Sequence, residues 1–219
     1  MRLPNAEHES RPWLIHEVVP DFTLEDVWAL PTHGGPDDFQ RLLDMARSFD
    51  PSNAESRPTR FLWNLRDGLG RWLDLGEISA PVDADGAGEL PIPDTDETSL
   101  RGRVPADLHG SAADFTFDSL PFVPLYRTDR EAAAEVSNKT MHGVAHLSWV
   151  ELGDGRYGGR MAVYVKHRGA FGRAYMAAIK PFRYWIVYPA LMAQMERTWQ
   201  ASLASSARPY RRPRSARRR

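Results

Sequence analysis

The sequence predicts a single α+β domain in which an antiparallel sheet packs against a long C-terminal helix. Four extended segments follow one another between residues 122 and 167, and a helical spacing of apolar residues runs from Lys180 to about Leu203. The chain has 219 residues, of which 42% are hydrophobic, so it can build one good core and is rather short for two.

The first half of the chain predicts one strand and two helices. The run from Trp13 to Val19 is short and rich in β-branched residues, which favours a strand, and residues 21–32 then predict a helical turn followed by a loop. A helix is indicated after Asp37 and Asp38, whose carboxylates suit a helix N-terminus. Its apolar residues are Phe39, Leu42, Leu43 and Ala46. The same spacing within residues 59–75 predicts a second helix.

Residues 76–99 are predicted to form a solvated acidic loop. Between Arg71 and Arg101 the chain has eight acids, no lysine and no arginine, with prolines and glycines throughout. The stretch 83–94 matches a calcium-binding loop at its first, third and sixth positions only. Its fifth, ninth and twelfth positions hold Ala87, Pro91 and Asp94, which do not fit such a loop, so no metal site is expected.

The second half of the chain predicts an antiparallel meander with strands at residues 122–126, 131–138, 140–152 and 157–167. The last two strands form a hairpin around Gly153-Asp154-Gly155, a connection that tolerates positive φ. Alternation within the strands predicts one apolar face and one mixed face. On the third strand the apolar face carries Met141, Gly143, Ala145, Leu147 and Trp149.

The most apolar stretch of the chain, AAIKPFRYWIVYPALM at residues 177–192, is predicted to begin the C-terminal helix. Pro181 suits the first turn of that helix, and Pro189 lies deeper and should kink it. The uncharged run from Tyr184 to Met195 is twelve residues long, whereas a spanning helix needs roughly 20, so we expect no transmembrane segment. Apolar residues on more than one side instead predict a helix enclosed by sheet and loops. They are Phe182, Trp185, Ile186, Pro189, Met192 and Ala193.

The domain is expected to span residues 11–204, between a flexible N-terminus at residues 1–10 and a disordered tail at residues 205–219. The tail holds seven of the 28 basic residues, all of them arginines between Arg208 and Arg219. The rest of the chain therefore has 21 basic and 29 acidic residues, a formal charge of −8.

Composition also limits the possible chemistry and location. The absence of cysteine excludes disulfides and thiolate sites. The first residues lack the apolar core and cleavage site of a secretory signal, so a cytoplasmic location is expected.

The order of predicted elements resembles the helix-grip fold of START-like and birch-allergen-like proteins. Several blocks of sequence resemble the family catalogued as domain of unknown function 2867. These blocks are LRGRVPADL (100–108), PLYR (124–127), SNKTMHGVAHLSWV (137–150), MAVYVK (161–166) and FGRAYMAAIKPFRYWIVYPALM (171–192), with WALPTHGGPDDF near the N-terminus. Together they cover nearly the whole chain except the acidic loop and the arginine tail.

The resemblance implies a shape rather than a reaction, because the activity of the family is not established. START-like proteins commonly enclose an apolar cavity between a curved sheet and the long helix. A small, mostly apolar or amphipathic molecule is therefore the expected partner. Some relatives carry such a domain behind a Rossmann domain, but this chain has no GxGxxG motif after a strand, and no cofactor is expected.

Candidate site residues on the third strand leave two interpretations open. Gly143 and Ala145 are either packed closely against the long helix or leave room for a ligand. His142 and His146 share the opposite face. Along an extended strand they would lie about 13 Å apart, too far for one metal ion to bind both. Each is therefore predicted to lie at the surface or to be hydrogen-bonded. Asn138 is expected to cap or bridge the turn before the strand.

Candidate residues also cluster at the predicted helix entrance. Tyr175, Lys180 and Arg183, together with Tyr184, either extend into solvent or form a polar mouth that binds a carboxylate or phosphate. The ligand-binding candidates are therefore Asn138, His142, Gly143, Ala145, Tyr175, Lys180, Arg183 and Trp185.

Two other classes of function stay open. A cyclase- or hydrolase-like enzyme would use the same cavity, with Tyr175, His142 and Arg183 as the residues to test, although no motif nominates a catalytic residue. The arginine tail either solubilises the protein or makes weak, sequence-independent contacts with nucleic acid or an anionic lipid surface.

Overall fold

The computed structural model describes residues 1–49, 92, 97–113, 115–118, 120–138 and 140–206, apart from the side chains of Phe171, Tyr175 and Ser206. Several predictions lie outside these residues. They are the helix within residues 59–75, nearly all of the acidic loop with its partial match to a calcium loop, and the tail from residue 207 onward.

The fold is α+β, as the sequence predicted, and contains one six-stranded antiparallel sheet with strand order β1-β2-β6-β5-β4-β3. The strands are β1 (Arg2–Leu3), β2 (Thr23–Gly34), β3 (Val123–Arg127), β4 (Glu131–Ser137), β5 (Met141–Gly153) and β6 (Arg156–His167). The α-helices are α1 (Ala6–Glu9), α2 (Ile15–Val18), α3 (Phe39–Arg47), α4 (Gly169–Phe182) and α5 (Tyr188–Ser206). A π-helical segment (Arg183–Val187) joins α4 to α5, and two 3-10 helices occupy Leu100–Arg103 and Ala106–Leu108.

Both faces of the sheet are covered, and we call them the helix face and the N-terminal face. On β5 the helix face carries Gly143, Ala145, Leu147 and Trp149, and the N-terminal face carries His142, Val144, His146 and Ser148. The core on the helix face joins Leu42 of α3 and Trp199 of α5 to Trp149. The core on the N-terminal face joins Ile15 of α2 and Leu100 of the first 3-10 helix to Val144.

The predicted meander is confirmed, because β3 to β6 follow one another along the chain and pair in that order. The hairpin around residues 153–155 is also confirmed. Its three residues have φ values of 98°, 53° and 68°, in the left-handed region that glycine adopts at little cost. Of these three residues, Asp154 is the one that is not glycine, and aspartate is among the residues that tolerate this conformation.

Two predictions for the first half of the chain are wrong. The run from Trp13 to Val19 contains α2 rather than a strand, and residues 21–32 contain most of β2 rather than a helical turn and a loop. In α2, Ile15 and Val18 lie three residues apart and are fully buried against the sheet, so tertiary packing overrides the β-branched composition. Strand β2 lies between β1 and β6 and is buried on both faces, which removes the alternation that identifies a half-exposed strand.

The first ten residues form ordered elements in place of the expected flexible N-terminus. Leu3 of β1 pairs with Val27 of β2, and the Met1 ammonium donates a hydrogen bond to the Ala29 carbonyl at 2.9 Å. In α1, His8 is only 1% exposed. The N-terminal segment therefore contributes both a strand and part of the cover over the N-terminal face.

Helix α3 is confirmed at its predicted position after Asp38. Phe39, Leu42 and Leu43 are buried, as the helical spacing requires. The Asp38 side chain accepts a hydrogen bond from the Gly35 amide at 2.8 Å, which closes the turn that leads into the helix. This helix packs beside α5 at the end of the sheet where β5 and β6 form their hairpin.

The C-terminal helix is longer than predicted, since it begins at Gly169 instead of Lys180. Pro181 therefore lies inside α4, and the π-helical segment lies between Pro181 and Pro189. The Tyr188 amide donates a hydrogen bond to the Arg183 carbonyl, five residues back. A wider turn therefore lies directly before Pro189, which would disrupt a regular α-helical turn. At the start of α4, a Cβ on Gly172 would collide with the Thr140 carbonyl oxygen, so glycine permits the close approach of this helix to β5.

The middle of the C-terminal helix is not enclosed as predicted. Phe182 is 53% exposed and Trp185 is 80% exposed, so the outer side of the stretch 177–192 faces away from the sheet. Among the helices of the described part of the chain, none combines the length and the apolar character that crossing a bilayer demands.

Candidate functional site

A row of small side chains crosses the centre of the helix face beside a polar cluster. Asp26 of β2 is in register with Val163 of β6, and Val163 is in register with Ala145 of β5. Ala134 of β4 continues the row. Adjacent strands are about 4.8 Å apart, so the row extends about 14 Å from the Asp26 carboxylate across an apolar surface.

This surface is incompletely covered. Ala145, Val163 and Met161 are only partly buried, although they lie on the two central strands. Val144 and Ala162, their neighbours on the N-terminal face of the same strands, are each 1% exposed. The helix face is therefore more open at its centre than the N-terminal face is.

The polar cluster at the end of the row is centred on Asp26, which is fully buried. Its carboxylate accepts hydrogen bonds from the Trp28 indole at 2.9 Å and the Tyr188 hydroxyl at 3.0 Å. Arg183 donates to it at 3.2 Å, and the Tyr184 hydroxyl lies at 3.3 Å. Burial alone would lower the pKa of Arg183, but Tyr188 and Asp26 together raise it, so the guanidinium stays charged.

Lys180 and Arg183, two of the residues predicted at the helix entrance, both lie near the helix face, but their surroundings differ from each other. Lys180 donates to Glu25 at 3.0 Å and keeps 41% of its side chain exposed, whereas Arg183 is bound inside the Asp26 cluster. Trp185 points outward and does not line the space between sheet and helix. The side chain of Tyr175 lies outside the described residues.

The space beside Gly143 is occupied. A Cβ placed on Gly143 would lie 3.1 Å from Met141 Sδ and 3.5 Å from Val136 Cγ1. Close packing, one of the two interpretations of this glycine, therefore applies at Gly143, with Met141 rather than the long helix as the neighbour. Of these two residues, only Ala145 is partly exposed.

A second polar cluster lies on the N-terminal face and is centred on Glu131. The carboxylate accepts from the Tyr126 hydroxyl and His146 Nε2, each at 2.9 Å, and from the Leu14 amide at 3.0 Å. Burial alone would raise the pKa of Glu131, but these hydrogen bonds lower it, so the group is ionised. Because a carboxylate only accepts, His146 carries its proton on Nε2 and presents Nδ1 as an acceptor.

His142 lies further along the same face and is held by two carboxylates. Its Nδ1 is 2.8 Å from Glu97 and its Nε2 is 2.9 Å from Glu135, which also accepts from the Leu100 amide at 3.0 Å. Each ring nitrogen of His142 therefore has a carboxylate partner. The predicted histidines are therefore hydrogen-bonded, and they lie across the sheet from Arg183.

Asn138 has the structural role expected for it. Its side-chain oxygen accepts from the Thr140 amide at 2.8 Å, the Thr140 hydroxyl at 2.7 Å and the Met141 amide at 3.0 Å. The Arg168 guanidinium binds the Asn138 carbonyl from the other side. Asn138 thus closes the turn between β4 and β5.

Three histidine rings meet beside the Glu131 cluster. The ring centroid of His8 lies 5.0 Å from that of His146 and 5.4 Å from that of His16, and its Nε2 is 2.9 Å from the Tyr164 hydroxyl. Five buried polar atoms here have no hydrogen-bond partner among the described residues. They are His8 Nδ1, His16 Nε2, His146 Nδ1, Trp13 Nε1 and Ser148 Oγ. A proton added to this group would therefore be poorly stabilised.

His8 should make folding sensitive to acid. Burial, followed by the neighbouring His146, His16, Arg160 and Arg11, lowers the pKa of His8 from 6.5 to about 3. Between these values the unfolded chain takes up a proton that the folded chain excludes. The His8 contribution to stability is therefore fully present above pH 6.5 and is lost as the pH falls toward 3, at up to about 1.4 kcal/mol per pH unit.

Urea unfolding at several pH values between 7.5 and 4.5 would measure this dependence. His8→Gln keeps a polar side chain but does not titrate, so its free energy of unfolding should fall less steeply with acid than that of the wild type. The same substitution at exposed His33 is the matched control and should keep the wild-type slope. Equal slopes for wild type and His8→Gln would contradict the assignment.

Sequence reasoning missed the residues that organise both clusters, namely Asp26, Glu131, Glu135 and His8. One signal was present in the sequence. Glu131 and Glu135 are four residues apart on one strand, as are His142 and His146 on the next, so antiparallel pairing can bring each acid to a histidine. Across the described residues, no group of three or more histidine and acidic side chains is arranged to hold a metal ion.

Comparison with known proteins identifies one family. A model of the family described as "Protein of unknown function (DUF2867)" matches residues 18–190. No curated protein and no solved structure matched the chain. The matched region includes both polar clusters apart from Leu14, and it does not include the neighbouring residues His8, Trp13 and His16.

Proposed function

The chain belongs to the DUF2867 family, and from that premise we propose that it binds a small, mostly apolar molecule between the helix face of the sheet and the C-terminal helix. The observation that carries the proposal is the partial exposure of Ala145, Val163 and Met161 on the two central strands. Dense packing is the rule in protein interiors, so open apolar surface at the centre of a covered sheet favours a ligand.

The Asp26 cluster supports an amphipathic ligand with one polar end. Asp26 lies next to Val163 in the row, and Arg183 and Tyr184 stand beside its carboxylate. Ligand sites combine apolar walls with a few placed polar groups that fix orientation. A hydroxyl or carboxylate at this end and an apolar body over Val163 and Ala145 would match the surface.

We also propose that this arrangement is of the helix-grip type. It is supported by the packing of Trp199 on Trp149, with ring centroids 5.9 Å apart, and by the hydrogen bond from the Trp199 indole to the His33 carbonyl at 3.1 Å. These contacts fix α5 at one end of the sheet. The other end of the long helix is fixed where Gly172 meets Thr140.

Filling the row with a large side chain should weaken ligand binding. Anilinonaphthalene sulfonate, a dye with an apolar body and one anionic group, would serve as the probe. The wild type is expected to increase its fluorescence on binding, and Ala145→Trp should weaken that binding by about tenfold or more, equivalent to at least about 1.4 kcal/mol. Leu152→Trp places the same side chain on the exposed end of β5 and should change nothing.

Val163→Phe is a milder filling variant in case Ala145→Trp does not fold, and thermal unfolding would verify that each variant is native. Dye binding that is unchanged in folded Ala145→Trp and Val163→Phe would disprove the proposed position of the ligand.

The enzyme alternative receives less support from the geometry. His142 and Arg183 lie on opposite faces of the sheet, so they cannot act together on one substrate. His142 also contacts two carboxylates, and Arg183 donates to the Asp26 carboxylate. Nucleic-acid binding by the arginine tail remains a prediction from the sequence, because those residues lie outside the described part of the chain.

A further inference from the structure

The outer side of the C-terminal helix carries an uncovered apolar stripe. We define the outer stripe as seven exposed residues of α4, the π-helical segment and the start of α5. They are Ala174, Ala177, Ala178, Pro181, Phe182, Trp185 and Pro189. The stripe contains no charged residue and extends about 22 Å along the helix at 1.5 Å per residue.

Two large aromatic side chains project from the middle of this stripe. Within the described part of the chain, Phe182 and Trp185 are two of only four large apolar side chains that are exposed. They lie three residues apart and hence on one side of the helix. An exposed tryptophan beside an exposed phenylalanine is a surface that water solvates poorly and that a partner can bury.

The C-terminal part of the sequence, which includes the stripe, is rich in basic residues. Residues 155–195 contain no aspartate or glutamate. Residues 1–154 have 13 basic and 28 acidic residues, a charge of −15, whereas residues 155–219 have 15 basic and 1 acidic, a charge of +14. Beside the stripe itself, Arg173 is exposed, and the exposed Arg2 places its guanidinium 4.8 Å from the centroid of the Tyr184 ring.

We propose that the outer stripe docks on the surface of an anionic lipid bilayer. Phe182 and Trp185 insert at the level of the headgroups, and Arg2 and Arg173 contact lipid phosphates at the rim. Stable attachment of a peripheral protein requires both apolar insertion and electrostatic attraction, and this region supplies both. The helix lies in the plane of the interface and does not cross the membrane.

A bilayer fits this surface better than nucleic acid does. Nucleic-acid affinity depends mainly on cations directed at phosphates, whereas the outward-facing residues here are apolar and the cations stand beside them. Tryptophan, by contrast, is enriched at membrane interfaces because its ring is apolar and its N–H is polar. The arginine tail adds positive charge but no apolar surface.

Cosedimentation of the full chain with vesicles would test the proposal. The wild type should pellet with phosphatidylcholine vesicles that contain phosphatidylserine and much less with phosphatidylcholine alone. The double variant Phe182→Ala/Trp185→Ala should lower the partition coefficient by about tenfold or more. Arg173→Glu should lower it by about fivefold or more, because the loss of one cation near an anionic surface has about a fivefold effect and this variant also adds a negative charge. Leu152→Ala and Arg156→Glu, at exposed positions on the β5–β6 hairpin, are matched controls and should bind like the wild type.

Lipids with brominated acyl chains give a second measurement. They should quench part of the wild-type tryptophan fluorescence, and Trp185→Phe should remove that part while it retains vesicle binding. The thermal midpoints of the helix variants should be unchanged, since the substituted side chains are exposed.

Four outcomes would overturn the proposal. The first is that the wild type does not pellet with vesicles of either composition. The second is that deletion of residues 207–219 changes pelleting and the substitutions in the stripe do not. Alternatively, the double variant changes only the oligomeric state, which would assign the stripe to a second copy of the chain. The fourth is that the double variant loses retention on DNA but keeps its binding to vesicles, which would assign the stripe to nucleic-acid binding.

Discussion

Replacing Trp199 by alanine should lower the free energy of unfolding by about 3 to 5 kcal/mol, the usual cost of removing a large aromatic side chain from a core. Trp199 is 1% exposed, packs on Trp149 and donates its indole N–H to the His33 carbonyl at 3.1 Å. Its loss would therefore leave a cavity and an unpaired backbone carbonyl where α5 meets β2. Urea unfolding followed by circular dichroism would measure the change.

The chain supplies a matched control for this substitution. Trp185→Ala removes the same side chain from a position that is 80% exposed, so its effect on the free energy of unfolding should be within about 0.5 kcal/mol. Trp199→Phe should be intermediate, because it keeps most of the buried volume. Equal destabilisation by Trp199→Ala and Trp185→Ala would show that α5 is not fixed as described.

Replacing Glu131 by alanine is expected to cost a similar amount, about 3 to 5 kcal/mol. Three buried donors lose their acceptor, namely the Leu14 amide, the Tyr126 hydroxyl and His146 Nε2, and each unpaired donor costs about 1 to 3 kcal/mol before the surroundings relax. Because the Leu14 amide ties the N-terminal segment to β4, hydrogen exchange in α2 should also become faster in Glu131→Ala.

Glu151→Ala is the control for this second prediction, since Glu151 is an exposed glutamate near the far end of β5. It should alter neither the free energy of unfolding nor hydrogen exchange in α2. If Glu131→Ala lowered stability without faster exchange in α2, the carboxylate would support the sheet but not the docking of the N-terminal segment.

Much of the second half of the fold could be predicted because its signals are local. Alternation over residues 131–167 and the Gly-Asp-Gly connection specify strands and a tight turn without reference to the rest of the chain. Helix α3 follows in the same way from apolar residues at helical spacing after Asp38. The predicted start of the C-terminal helix is wrong because Pro181 resembles a first-turn residue, whereas in the structure it lies inside α4, which begins at Gly169.

The polar clusters could be predicted only in part, because their contacts join residues that are distant in sequence. His8 reaches Tyr164 and Arg183 reaches Asp26, and each contact joins residues more than 150 positions apart. Sequence analysis selected Lys180 and Arg183 because they cluster with two tyrosines at the predicted start of the long helix. It could not select Asp26, whose role depends on the register of β2 against β6 and on the helix that crosses them.

The sequence by itself determined the α+β class, the meander with its hairpin, helix α3 and the family to which the chain belongs. These follow from periodicities and turn residues that act within a few positions, or from blocks of matched residues. Only the tertiary structure decided that residues 13–19 are helical, that residues 23–34 form a strand and that Phe182 and Trp185 face outward. In each of these cases burial against distant parts of the chain outweighs local preference, and the free energy of that burial cannot be assigned until the partners are known.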